Sequence, residues 1–149
     1  MTILIRSATP DDLHTLVDFV LAEAREAEAR VLDPEIVTAA VGAALADRAL
    51  ARYWVADDTG FPCAAVGVVR EWSDWHNTAY WWIQLAYVAP EYRGRGVIRG
   101  LVEHVQAVAL SQNVPELRLY VDPTNARAIR AYEKLGFATS SYVMMTLRH

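Results

Sequence analysis

The residues of this chain with the clearest chemical potential are Arg93-Gly94-Arg95-Gly96-Val97-Ile98. They follow a stretch of strand-like residues ending at Val88 and precede an apolar helical face at Leu101, Val102, Val105, Val108 and Ala109, so the glycines sit on a strand-to-helix turn. Free N–H groups at a helix start carry about half a unit of positive charge, and a glycine lets the backbone approach a ligand with no Cβ in the way. Arg93, Arg95 and Arg99 add full charges. On a chain with a formal net charge of −4, that local excess points to a small, highly anionic ligand and argues against a nucleic-acid surface.

A second group lies downstream, where the strand-like Leu117 to Val121 leads through Asp122-Pro123-Thr124 to Asn125, with Tyr132 on the helix that follows. Between the strands, Glu71-Trp72-Ser73-Asp74-Trp75-His76-Asn77 mixes acids with large aromatics. Together with Trp81 and Trp82, it could form an acidic, aromatic pocket for an ammonium group. The four histidines, His14, His76, His104 and His149, show no paired spacing, so no metal site is expected. Cys63 precedes Ala64, Ala65 and Val66 and reads as a small buried hydrophobe.

The elements that must position these residues follow from periodicity. Ile3 to Arg6 reads as a strand. Thr9-Pro10-Asp11-Asp12 opens a helix with an apolar face at Leu13, Leu16, Val17, Val20, Leu21 and Ala24, and Asp33-Pro34-Glu35 opens another through about Leu45. The period then changes to two over Tyr53 to Ala56, Phe61 to about Trp72, and Thr78 to Val88, predicting three antiparallel strands in a row. A helix, the strand Leu117 to Val121, a helix ending at Gly136, and a last strand over Tyr142 to Leu147 complete the order βααβββαβαβ. The 149 residues make one mixed α/β domain. The longest apolar run, Cys63 to Val69, is far short of the roughly 20 residues that cross a bilayer, and no leader pattern opens the chain, so the expected location is the cytoplasm.

Val88-Ala89-Pro90-Glu91-Tyr92-Arg93-Gly94-Arg95-Gly96 resembles the acetyl-CoA loop of the GCN5-related N-acetyltransferases, or GNAT family, with Arg93 and Gly96 at its fixed positions and Ile98 where a small residue is usual. The segment Leu117 to Ala128, with Tyr132 and the closing Gly136-Phe137, resembles that family's other cofactor segment. The resemblance covers nearly the whole chain. It implies a mainly antiparallel sheet splayed between its fourth and fifth strands. The backbone of Ala86, Tyr87 and Val88 would pair with the pantetheine arm, and Arg93, Gly94, Arg95, Gly96, Val97 and Ile98 would hold the pyrophosphate. Asn125 would fix the pantetheine chain, and the Tyr132 hydroxyl would act as general acid toward the thioester sulfur.

It implies an enzyme moving an acetyl group from acetyl-CoA to a primary amine of a small molecule or peptide, by direct attack in a ternary complex. An alkyl ammonium of pKa near ~10.4 must first lose a proton. Glu71, Asp74 and His76 are weak candidates for that base or for acceptor binding, and Glu26 is another. Two other classes compete. A non-catalytic acyl-CoA sensor would keep the cofactor site without a base. A dinucleotide-binding oxidoreductase would use Gly94-x-Gly96-x-x-x-Gly100 as a loose fingerprint, but that loop is expected after antiparallel strands and not at the start of a βαβ unit. The amount of aromatic strand surface leaves a homodimer open.

Overall fold

The computed structural model describes residues 1–149. Its strands are β1 (Ile3–Ser7), β2 (Arg52–Asp58), β3 (Phe61–Ser73), β4 (Thr78–Val88) and β5 (Leu117–Leu119), and its helices are α1 (Leu13–Glu28), α2 (Pro34–Ala46), α3 (Val97–Ser111) and α4 (Ala126–Lys134). The strands form one sheet in the order β1-β2-β3-β4-β5. The first four pair antiparallel, while β5 lies parallel to β4 and is joined to it through α3. The glycine loop therefore does open a βαβ unit, contrary to the expectation from the run of antiparallel strands.

Each sheet face buries its own core, because alternate residues of a strand point to opposite sides. Trp54 and Ala56 of β2, with Val66, Val68, Trp81 and Ile83, meet Val97, Leu101, Val105 and Ala109 of α3. Val55, Ala65 and Leu85 on the other face meet Leu16, Val17 and Phe19 of α1 and Val37 and Val41 of α2. Cys63 is buried in the first core, as its apolar neighbours suggested, and its thiol is pushed up by that burial. Gly67 is required where the Tyr53 ring crosses β3, since a Cβ there would stand 2.7 Å from the ring carbons.

On β4 the phase of the alternation reverses. Val68 pairs with Ile83 and Gly67 with Leu85, leaving Gln84 as the extra residue of a β-bulge. Before it, Trp81 and Ile83 face α3; after it, Leu85 faces the α1 and α2 side, and Ala86 and Val88 pack on the α3 core.

The C-terminal third differs from expectation. Strand β5 is shorter than Leu117 to Val121, and Tyr142 to Leu147 forms no strand. Residues 138–149 are all exposed. Alternating apolar residues favour an extended chain, but a strand needs a neighbour to satisfy its backbone, and none within this chain reaches these residues. No helix is long and apolar enough to cross a membrane.

The start of α1 is held by a partly buried ion cluster. Arg6 donates to Asp12 at 2.8 and 3.0 Å and to Asp57 at 3.1 and 3.0 Å, while the Thr9 N–H donates to Asp12 at 2.7 Å. Burial alone would raise the Asp12 carboxyl, but the Arg6 and Thr9 donors outweigh it and hold the group below the usual carboxylate range. A group whose folded-state pKa is depressed contributes stability at neutral pH that is lost as the pH falls through the folded value. Replacing Asp12 by Asn, which leaves Arg6 one carboxylate, should cost about 2 kcal/mol in urea unfolding at neutral pH. The gap from the parent should narrow as the pH falls below the ordinary carboxylate range. A constant gap at all pH values would refute the electrostatic account.

Candidate active site

The loop between β4 and α3 is shaped by two left-handed glycines, Gly94 at φ 76° and Gly96 at φ 77°. A Cβ at either would meet no protein atom within 4 Å, so the glycines serve backbone conformation and leave the space above them open. Helices α2 and α4 are capped by the side chains of Asp33 and Asn125, but α3 has no side-chain cap. The main-chain N–H groups of Gly94, Arg95, Gly96, Val97, Ile98 and Arg99 have no acceptor in the protein; the first loop bond is from the Gly100 N–H to Gly96 O, at 3.1 Å. This convergence of unpaired donors at a helix start is suited to a phosphate. Ile98 does not crowd it, because its side chain packs on the α3 core.

The arginines are arranged differently from a simple cationic fringe. Arg93 folds back along β4, donating to Val88 O at 2.9 Å and to Glu26 at 2.8 Å, with its guanidinium over the Tyr87 ring. Arg95 lies over Tyr92, and Arg99 donates to Lys134 O at 2.9 Å and pairs with Glu103. The side chains of Arg93 and Arg99 are thus engaged within the protein, whereas the main-chain donors of the loop are not.

Strands β4 and β5 pair only over Trp81, Trp82 and Ile83. Beyond Gln84 they diverge, leaving β4 with β3 on one edge and no strand on the other. On that open edge the Ala86 N–H donates to Glu23 Oε2 of α1 at 2.9 Å. Burial pushes the Glu23 carboxyl up to about 7, the Ala86 bond only partly offsetting it. One turn along α1, Glu26 accepts from the Tyr87 hydroxyl at 2.7 Å and from Arg93, and these bonds hold it below the usual range. Of the two carboxylates, Glu23 is the one poised to exchange a proton near neutrality. Sequence reasoning missed it, because it reads as one more acid beside a helix's apolar stripe; only the bulge brings Ala86 against it.

Tyr132 is half-buried on α4, edge-on to Phe137 with ring centroids 5.8 Å apart. Its hydroxyl is pushed up by burial and then by the charge of Glu23, so the two groups share one electrostatic environment. Asn125 caps α4, its Oδ1 accepting from the Ala128 N–H at 3.1 Å, which leaves its amide nitrogen unused.

Glu71, Asp74 and His76 are not brought to this place. They lie at the far hairpin of β3 and β4, and at about 3.3 Å per residue the run from Tyr80 to Ala86 separates them from the open edge by about 20 Å. Glu71 pairs with Arg118 at 3.0 Å, and His76 Nδ1 is bonded to the Tyr80 hydroxyl at 2.9 Å. The tryptophans disperse too: Trp81 is in the core against Trp54, Trp82 stacks on Tyr120, and Trp72 and Trp75 project into solvent. They do not make the single pocket expected, because strand alternation sends neighbours to opposite faces. No cluster of three or more His, Cys, Asp or Glu side chains is placed to hold a metal ion.

Comparison with known proteins bears on this geometry directly. The profile of the Acetyltransferase (GNAT) family matches residues 18–137. An acetyltransferase of Yersinia pestis (strain Pestoides F) is 30% identical over 83 residues, covering 56% of this chain and 57% of that protein. The thialysine N-epsilon-acetyltransferase of Bos taurus is 44% identical over 50 residues, covering 34% of this chain and 29% of that one. The matched regions thus span little more than half of these curated relatives, or less. A solved structure described as a possible acetyltransferase from Clostridium difficile 630 is 33% identical with a TM-score of 0.94, covering 100% of this chain and 99% of that one. With the family profile matched from α1 through Phe137, and the sheet splayed where the resemblance implied it, this chain belongs to the GNAT family of acetyltransferases.

Proposed function

We propose that this protein transfers an acetyl group from acetyl-CoA to a primary amine on a small molecule or peptide, the amine attacking directly with both substrates bound. The observation that carries this reading is the open edge of β4, with the Ala86 N–H and Glu23 at the splay and the unpaired donors of Gly94 to Arg99 beyond it. Acetyl-CoA, when bound, supplies the activated acyl carbonyl and the thiolate leaving group. The N–H groups from Gly94 to Arg99 fit its pyrophosphate, and the unused amide of Asn125 is a further donor toward its pantetheine arm.

Glu23 is the proposed general base. An alkyl ammonium has a pKa near about 10.4, so proton transfer to a carboxylate at about 7 is uphill by roughly 4 to 5 kcal/mol, against roughly 8 for an ordinary carboxylate. Burial of Glu23 thus removes about 3 kcal/mol from that step. Tyr132, its hydroxyl raised by burial and by Glu23, stays protonated through neutral pH and is the proposed acid for the departing sulfur.

The first test is thermal stability with acetyl-CoA, CoA, NAD and ATP in parallel. A ligand binding only the folded state at a hundred times its Kd adds about 2.7 kcal/mol, and only the first two are expected to act. A response to NAD instead would refute the assignment. Tyr132→Phe should lower kcat about 10-fold or more with KM for acetyl-CoA little changed, and unchanged turnover would remove its acid role.

Glu23→Gln should lower kcat by about 100-fold or more while changing stability in the opposite sense. Between the ordinary carboxylate value of 4.5 and about 7, the folded protein holds a proton that the unfolded chain has released, so stability falls as pH rises through that window. The Gln variant lacks this slope. It should match the parent near the lower limit and exceed it by about 3 kcal/mol above the upper one. Equal stability at every pH would show that Glu23 titrates normally.

A further inference from the structure

Far from the glycine loop, at the start of β2, stands a group of cations with no counter-charge. Arg52 opens β2, Arg48 lies in the turn after α2, and Arg70 follows on β3 from Val68, the residue that pairs with Arg52. None of the three is in an ion pair, although acids outnumber Lys and Arg by 18 to 14 in this chain. Arg52 is the one least able to rely on water. Its Nε is fully buried and has no acceptor, the only buried side-chain nitrogen or oxygen in the protein so placed. Its guanidinium carbon stands 4.7 Å from the ring centroid of Trp54 and 5.3 Å from that of Trp81, both buried in the α3 core. Two aromatic faces hold this cation in place and shield one side of it from solvent. Burial, and then the charges of Arg48 and Arg70, disfavour its charged form, with no carboxylate to offset them.

Arg48 and Arg52 also line a cavity of about 220 Å³ between the end of β1, the end of α2 and the start of β2. Ala44, Leu45 and Ala51 give it an apolar wall, Ser7 contributes a hydroxyl, and no Asp or Glu faces it. The nearest acid in sequence, Asp47, is committed to its own turn, accepting from the Ala49 N–H at 3.0 Å. The space is several times the ~30 Å³ that one water occupies in the liquid, enough for an anion with a short apolar body. It is not the glycine loop. Six steps along β2, at about 3.3 Å each, separate Arg52 from Asp58, whose carboxylate accepts from Tyr92 at the approach to that loop.

We infer that Arg48, Arg52 and Arg70 form a second anion site for a small phosphate, either the inorganic ion or a monoester whose short apolar body enters the cavity. Three cations gathered around one desolvated guanidinium call for more than a single negative charge, which favours a phosphate over a monocarboxylate. The phosphate oxygens supply the acceptors that these side chains lack. The site shares no residue with the proposed acyl-transfer site and does not depend on that reading.

The test is a titration of the whole protein with inorganic phosphate, followed by NMR at the Arg52 Nε–H and the Trp54 indole N–H. The Gly96 amide reports separately on the glycine loop, and chloride at matched ionic strength controls for screening. Saturable movement of the Arg52 and Trp54 signals with phosphate, and none with chloride, is expected. The double variant Arg48→Gln, Arg70→Gln, which alters two exposed side chains, should weaken phosphate binding at Arg52 about 10-fold or more and leave the response at Gly96 unchanged. No saturable movement at Arg52, an equal response to chloride, or an affinity unaltered in the double variant overturns the inference. Should that variant fail to fold, the titration of the parent decides by the first two of these results. Butyl phosphate in place of the ion separates the two sources. Tighter binding assigns the cavity to the chain of a monoester, and equal or weaker binding assigns the site to inorganic phosphate; both support a phosphate site at Arg52.

Discussion

One extra residue in β4 governs the site. With Gln84 bulged out, β4 bends and turns its far half by one step of the alternation, and the parallel ladder to β5 stops at Ile83, the residue before it. The open edge of β4, Glu23 and the glycine loop lie past that point. The Ala86 N–H loses a strand partner and gains Glu23, Leu85 turns to the α1 core, and Val88 delivers the chain into the glycine loop. An uninterrupted ladder would have satisfied the same backbone groups and left no edge for a ligand.

Two acids three positions apart on α1 show how differently one helix can treat the same functional group. Glu26, open to solvent and gripped by Arg93 and the Tyr87 hydroxyl, is a structural tie between α1 and the end of β4. Glu23, packed against the open edge with a single main-chain donor, carries the cost of burial without a cation to offset it. The cluster of Arg6, Asp12 and Asp57 does for the start of α1 what Glu26 does for its end, so the helix bearing Glu23 is pinned on both sides of it.

Much of this was legible in the chain itself. Helical spacing gave α1 and α3, the change to a period of two gave β2, β3 and β4, and Arg93 to Gly96 between a strand and a helix marked the glycine loop. What was not legible depended on parity and on distance. Gln84 has no signature that distinguishes a bulged residue from a paired one, so the side on which Ala86 lies, and with it Glu23, could not be read. Glu71, Asp74 and His76 were weak candidates, polar and near tryptophans in sequence, and the length of the hairpin carries them to the other end of the sheet. The alternation at Tyr142 to Leu147 was read as a strand and forms none, because periodicity identifies a segment able to pair and does not supply its neighbour.

Cohesion is distributed unevenly along this fold. The centre of the sheet, where Val55, Ala65 and Val66 are wholly buried between helices on both faces, can open only with the whole molecule. Helix α4 has no fully buried residue, and it is tied back by a bond from Arg99 to Lys134 O and by the packing of Phe137. The helix that carries Tyr132 therefore belongs to the least cooperative part of the structure. Opening of α4 breaks few contacts with the sheet and leaves those that hold the loop, Glu23 and the strand between them intact.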